Sequence, residues 1–335
     1  MGVLIGTHEQ YLEHEAGRGH PENPSRLGAV LRGVGRAGVD TVAFAPRPAT
    51  RPELEAVHPA VYVDALHRFI EAGGGSIDID TGASPGSWDA ALLAAGAGPS
   101  AIERLDRGEA DAAFLAVRPP GHHARPDQAM GFCLLNNVAV AAAALADRGE
   151  RVLVVDWDAH HGNGTQDIFY ADGRVAYVSL HQSPLYPGTG RMGERGEGAG
   201  LGANLNLPVP AGTAGDTYRA AIDDVIVPFA EGFAPTWVIV SAGYDGHRAD
   251  PLTDLALSAG DYADLTARVV ALAPAGRRLV FLEGGYDLGA LEASTAATLA
   301  ALAGEELRPE AVTSGDDRGM PVVEAAARII ADDAA

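Results

Sequence analysis

Residues Arg151-Val-Leu-Val-Val-Asp156-Trp-Asp158-Ala-His160-His161-Gly-Asn163-Gly-Thr165 run four apolar side chains straight into alternating acids and histidine. An apolar run bounded by charge and glycine reads as a buried strand of a parallel sheet. Along an extended path alternate side chains share a face, so Asp156, Asp158 and His160 can point the same way. Open α/β sheets place ligands at the carboxyl ends of such strands. Two carboxylates and an imidazole are costly to desolvate there unless something pairs with them, and a metal ion is the simplest partner. Asp245, after a later strand, completes a set of one imidazole and two carboxylates. Three protein ligands with an open fourth position is the catalytic zinc pattern. The imidazole weighs against an all-oxygen magnesium or calcium site.

Further chemistry follows other apolar runs. Pro119-Pro120-Gly121-His122-His123 stiffens a turn that presents two adjacent imidazoles, the side chains best suited to proton transfer near neutral pH. Asp156 is a partner for one imidazole and Asn163 for the other; a carboxylate raises imidazole basicity, whereas an amide mainly orients the ring. In Glu283-Gly284-Gly285-Tyr286 the glycines allow close backbone approach, and Tyr286 can donate a hydrogen bond to an oxygen developing negative charge. Gly131-Phe132-Cys133 and Leu185-Tyr186-Pro187 are aromatic loops that either wall an apolar tunnel for a long side chain or simply anchor themselves.

The elements that must position these groups are apolar, β-branched runs at 3–5, 112–117, 152–155, 176–180, 205–209, 237–240 and 279–282. Between several of them lie Ala-rich helical patterns at 88–105, 137–146, 217–230 and 258–271. Strand alternating with helix predicts an α/β domain with a mostly parallel sheet. In such a sheet the polar groups of five strand ends line one edge. Glycine-rich stretches at 73–75 and 193–202 read as surface loops. Residues 303–320 are polar and turn-rich, and a last amphipathic helix is expected over 322–331. With no strong linker and no internal repeat, residues 1–335 read as one domain, with a catalytic core over about 3–300 and an extension over 303–335.

A chain of 335 residues with 47% hydrophobic content can bury a large core. No run of apolar residues is long enough to span a membrane. The N-terminus shows neither a basic region nor a cleavage site, and Cys133 is a lone cysteine; both fit a reducing cytoplasm. A net charge of −21, from 24 basic and 45 acidic residues, argues against direct nucleic-acid binding.

Taken in order, Arg-Pro-Pro-Gly-His-His, Gly-Phe-Cys-Leu-Leu-Asn-Asn, Asp-Trp-Asp-Ala-His-His-Gly-Asn-Gly-Thr, Ser-Ala-Gly-Tyr-Asp and Glu-Gly-Gly-Tyr resemble the zinc-dependent histone deacetylases, as does His20-Pro-Glu-Asn-Pro-Ser-Arg26. The likeness is to the class II branch and its bacterial amidohydrolase relatives. It implies the arginase-deacetylase fold, with a central sheet of about eight strands flanked by helices. It implies zinc on Asp158, His160 and Asp245, His123 as general base and then acid, His122 backed by Asp156 as electrostatic support, and Tyr286 on the scissile carbonyl. By the same resemblance Phe132 and Tyr186 face each other across the substrate tunnel, with Gly131 in its wall. Leu252 stands at the mouth, where a polyamine-selective relative has glutamate. Arg26 lies near an inner cavity that receives the released acid. Potassium is implied on Asp156, Asp158, His160, Ser179 and Leu180, and a second potassium near Phe169, Asp172 and Val175. Tyr244 stands where phenylalanine is usual, so its hydroxyl needs a partner.

The resulting expectation is hydrolysis of an acetylated amine, N-acetyl-lysine first and acetylpolyamines or other small acetamides as the alternative. Two rivals are a two-manganese ureohydrolase of the arginase type and a catalytically dead acyl-lysine binder. Oligomeric state stays open.

Overall fold

The computed structural model describes residues 2–315 and 317–333; positions 1, 316, 334 and 335 of the expected domain lie outside the described residues. Eight strands form the central sheet: β1 (Val3–Gly6), β2 (Thr41–Phe44), β3 (Ala112–Leu115), β4 (Val152–Asp156), β5 (Val175–Gln182), β6 (Asn204–Val209), β7 (Trp237–Ala242) and β8 (Arg278–Leu282). Their spatial order is β2-β1-β3-β8-β7-β4-β5-β6, and every pairing is parallel. The expected α/β fold with its eight-stranded sheet is what the chain forms. The five central strands β3, β8, β7, β4 and β5 are buried almost throughout, which explains their unbroken apolar runs.

Seven of these strands coincide with the apolar runs. The eighth, β2, has three exposed residues out of four and sits at the sheet edge. Half-exposed edge strands lack the apolar density that marks a central one.

Helices supply the layers around the sheet. The helix at Ser25–Arg36 packs on Leu288–Leu302, which packs on Ala259–Val270; Ser87–Asp106 packs on Asn137–Ala146. The pattern over 217–230 is not one α-helix. It runs from Gly215 to Ala221, passes through a π-turn at Ile222–Ile226 and resumes at Val227–Phe233. Pro228 has no N–H to continue the ladder, and a π-turn absorbs the mismatch. The glycines at 73–75 are not wholly loop: Gly75–Ser76 pairs antiparallel with Gly82–Ala83. The last helix spans Met320–Asp333, slightly longer than expected. One contiguous core reaches from Val3 to Ala326, so the extension packs on the rest of the chain.

Register sets the site. Asp156, the last residue of β4, lies opposite Ser179 on β5 and Ser241 on β7. Leu282 lies opposite Ala242. The segments 157–163, 243–253 and 283–286 therefore leave the sheet at one level, along its carboxyl edge.

Candidate active site

His122 and His123 sit on a turn that three buried groups pin from below. Glu283 accepts from the backbone N–H of Gly121 at 2.7 Å and of His122 at 3.2 Å. Asn137 donates to the Pro119 carbonyl at 3.0 Å, and Asn136 donates to the Ala124 carbonyl at 3.1 Å while capping its own helix at Ala139. The Asn-Asn pair and Glu283 thus fix the histidine turn. Neither role follows from the motifs themselves, which point to the glycines and Tyr286 beside Glu283.

The two rings have different partners. His122 Nδ1–H donates to Asp156 Oδ2 at 3.0 Å, and the same oxygen accepts from the Tyr177 hydroxyl at 3.0 Å. Burial opposes charge on His122, but the carboxylates of Asp158 and Asp156 outweigh it and push its pKa up to about 10. His123 Nδ1 lies 2.8 Å from Asn163 Oδ1. That oxygen only accepts, so Nδ1 carries the proton and Nε2 keeps its lone pair. Burial, reinforced by the positive charge of His122 and His160, holds His123 well below the ordinary imidazole range. The surroundings favour the charged form of one ring and the neutral form of its neighbour, with centroids 4.1 Å apart.

Asp158, His160 and Asp245 converge beside them. His160 Nδ1 lies 3.1 Å from Asp158 Oδ1 and 2.9 Å from Asp245 Oδ2. One donor atom from each of the three falls within 4.8 Å of the others, a cluster that could hold a metal ion. Backbone N–H groups orient the carboxylates: Gly284 donates to Asp158 Oδ2 at 2.8 Å and Ala159 to Asp245 Oδ1 at 2.9 Å. A Cβ on Gly284 would stand 2.4 Å from Asp245 Oδ2 and 2.6 Å from Asp158 Oδ2, so the motif's glycine lets backbone reach the carboxylates. The Ser179 hydroxyl bonds His181 at 2.9 Å. Phe169, Asp172 and Val175 lie along a turn in which Asp172 N–H bonds the Phe169 carbonyl and the Asp172 carboxylate pairs with Arg174.

A cavity of about 230 Å³ opens over this cluster. His122, His123, Asp158, His160, Gly284 and Tyr286 line it, together with Gly131, Phe132, Leu185, Tyr186 and Leu252. Gly131 adopts φ 56, and a Cβ there would meet the His123 ring at 2.4 Å. Tyr186 stands edge-on to His123, with centroids 5.2 Å apart, and Phe132 edge-on to Tyr286 at 5.8 Å. Of the two readings of the aromatic loops, the structure shows a cavity wall. Asp80 also lines this wall, a carboxylate that no sequence pattern singled out.

Arg26 is not among the lining residues. It is fully buried, donating to the carbonyls of Glu283 and Gly285 and to Glu22, with its guanidinium 5.0 Å from the Tyr286 ring centroid. It braces the Glu-Gly-Gly-Tyr turn from behind. Burial raises the Tyr286 pKa well above the phenol range, so the hydroxyl stays a donor. The Tyr244 hydroxyl finds its partner in Thr298 Oγ1 at 3.1 Å.

The histone deacetylase domain model matches residues 20–302. A probable deacetylase of Archaeoglobus fulgidus is 43% identical over 319 residues, covering 92% of this chain and 88% of that protein. The histone deacetylase-like amidohydrolase of Pseudomonas aeruginosa is 42% identical, covering 83% and 75%. A crystal structure of the HDA15 HD domain superimposes with a TM-score of 0.91 at 37% identity, covering 99% of this chain and 95% of that one. No helix among the described residues is long and apolar enough to cross a membrane.

Proposed function

The chain belongs to the histone deacetylase family, and from that premise we propose that it is a zinc-dependent deacetylase of N-acetyl-lysine side chains. The observation that carries the reading is the pair of adjacent imidazoles, His122 held by a carboxylate and His123 by an amide, beside a three-donor cluster. Paired groups whose environments push their pKa values apart mark acid–base roles.

Zinc fits these residues. Two of the donors are buried carboxylates side by side, and burial, with the charge of Asp158, pushes Asp245 up to about 7. A divalent cation relieves that repulsion, and one imidazole with two carboxylates is a zinc donor set. Bound zinc supplies Lewis acidity, making a water more acidic and polarising a carbonyl.

The side chains do the rest. His123 Nε2 takes a proton from the attacking water and then returns it to the departing amine. The positive charge of His122 keeps His123 from protonating early and supports negative charge forming above it. Tyr286 donates to the carbonyl oxygen as charge develops there. Gly131, Phe132 and Tyr186 pass the methylene stem of the substrate, and Leu252 adds apolar contact at the mouth. Potassium is proposed at Asp156, Asp158, His160, Ser179 and Leu180. The register placing Asp156 beside Ser179 brings oxygen donors of neighbouring strand ends together, as a hard cation requires.

The test is hydrolysis of an acetyl-lysine peptide with and without a chelator. Loss of turnover, recovered by one equivalent of zinc, is expected. Full activity after exhaustive chelation, or two metals per chain at this site, would defeat the reading; the second result would favour the ureohydrolase type.

Asp80 favours a second reading, acetylpolyamine hydrolysis, because a carboxylate in the cavity wall can attract a second ammonium. Leu252 argues the other way, with 37% of its surface exposed and no charge. We expect kcat/KM to favour the peptide over acetylspermidine, and Leu252→Glu to narrow the ratio. Preference for acetylspermidine in the wild type would assign the cavity to polyamines.

A further inference from the structure

The segment after Leu302 lies beyond the matched family domain, yet it touches the loop that carries a candidate metal ligand. Glu310 is the point of contact. Its Oε2 lies 2.6 Å from His247 Nε2 and accepts from the Ala259 N–H at 2.9 Å, and its Oε1 accepts from Arg248 at 2.9 Å. His247 is buried, two residues after Asp245. Its Nδ1 accepts from the Ala249 N–H at 3.1 Å, so the ring's proton sits on Nε2 and is donated to Glu310.

His247 is the hub of a tight loop. Its N–H bonds the Tyr244 carbonyl at 3.2 Å, and its carbonyl accepts from the Asp250 N–H at 2.8 Å. Asp250 in turn accepts from the backbone N–H of Leu252 at 2.9 Å and of Tyr286 at 2.7 Å. A continuous path of hydrogen bonds therefore runs from Glu310 through His247 and Asp250 to the main chain of Tyr286.

We infer that Glu310 is a positioning residue for the loop of Asp245 and Asp250, which makes the C-terminal extension a working part of the active site. The inference rests on the deacetylase reading, but it also predicts a property that needs no turnover, the retention of bound metal. Outer partners of metal ligands hold donor geometry, and their loss lowers affinity or activity by about 10- to 100-fold. Glu310 acts one step further out, so the lower end applies.

The experiment compares Glu310→Ala, Glu310→Gln and Thr313→Ala in the full chain. Thr313 ties the same segment to Asp261 and Gly215, away from the loop. Three readouts are taken: kcat and KM on an acetyl-lysine peptide, release of bound zinc to a chromogenic chelator, and thermal unfolding. Glu310→Ala should lower kcat about 10-fold, leave KM within about twofold and speed zinc release by about the same factor as kcat falls. Glu310→Gln keeps an acceptor oxygen and should recover most of the loss. Thr313→Ala should lower thermal stability and leave both other readouts unchanged. A Glu310→Ala variant that unfolds earlier yet keeps wild-type kcat and zinc release overturns the inference. So does a Thr313→Ala that loses kcat and zinc as fast. Should Glu310→Ala fail to fold, Glu310→Leu, close in volume and without an acceptor, takes its place against Thr313→Ala with the same readouts, where slower turnover and faster zinc release support the inference and wild-type values overturn it. If the wild type cleaves no acetyl-lysine amide, the functional reading fails, and zinc release alone judges Glu310.

Discussion

At the amino edge of the central sheet, Arg277 pairs with Glu150 at 2.7 Å and Arg151 donates to the Ala234 carbonyl at 2.8 Å, all on partly exposed side chains. At the carboxyl edge, Asp156, Asp158, Asp245 and Glu283 are completely or almost completely buried with His122 and His123. The same eight strands carry charge cheaply at one end and expensively at the other. Burying a carboxylate beside another carboxylate stabilises no fold, and burial indeed pushes Glu283 up to about 7. Such an arrangement persists where it does chemistry, so changes at the two edges should separate rate from stability.

The largest effect belongs to the carboxyl edge. Tyr286→Phe should lower kcat by about 100- to 1,000-fold, the usual result of losing a donor to a developing oxyanion. His123→Ala should cost at least as much. Both should unfold at or above the wild-type temperature, since each removes a polar group from a crowded interior. Near-full turnover with metal retained would remove these residues from the mechanism, and a large fall in Tm would erase the contrast between the edges. Next comes Gly284→Ala. Its Cβ would press on the carboxylates of both Asp158 and Asp245. Metal affinity should fall by about 10- to 100-fold, measured by competition with a chelator.

The contrast also explains what could be read from the sequence. Buried strands declare themselves because both faces must be apolar, and functional groups at their ends stand out against that background. Asp156, Asp158, His122, His123 and Tyr286 were legible for this reason. Glu283 and Asn136 were visible as motif letters, but their work is on backbone N–H and carbonyl groups 100 residues or more away in one case and on a neighbouring turn in the other, and no local pattern encodes that. Asp80 sits in a loop between Ile79 and Thr81, two residues after another aspartate, where aspartate is ordinary. The three hydrogen bonds that Arg26 gives to the Gly285 and Glu283 carbonyls and to Glu22 are a detail of packing that no local pattern encodes. The exposed strand β2 and the π-turn at 222–226 depend on neighbours rather than on composition.

Glu310 lies between the two extremes, partly exposed yet tied to the carboxyl edge. Burial alone would raise its pKa, but the Ala259 N–H, His247 and Arg248 outweigh it and hold the carboxyl down at about 2. A depressed carboxyl contributes stability above its unfolded pKa, about 4.3, and loses it as pH falls through the folded value. Wild type should therefore exceed Glu310→Gln by about 1–3 kcal/mol near neutral pH, the usual range for hydrogen bonds to a charged group. The difference should shrink steadily from about pH 5 toward pH 2 in urea unfolding series. A difference that stays constant down to pH 3 would mean that the charge of Glu310 is irrelevant to the clamp.

The smallest effect is expected at the amino edge and is the sharpest control. Arg277 is 37% exposed on its side chain, pairs with Glu150 and lies 5.0 Å from the Trp237 ring centroid. Solvent screens the ion pair, so Arg277→Ala should cost no more than about 1 kcal/mol of stability. It immediately precedes β8, and the turn of Glu283 to Tyr286 leaves that strand at its far end, after Leu282. A rigid parallel strand held by ladders to β3 and β7 should not transmit the loss of a surface charge along its length. Turnover and metal retention should match wild type within error. If Arg277→Ala slowed the reaction as Glu310→Ala is expected to, the two edges would be coupled through β8, and the separation of rate from stability across the sheet would fail.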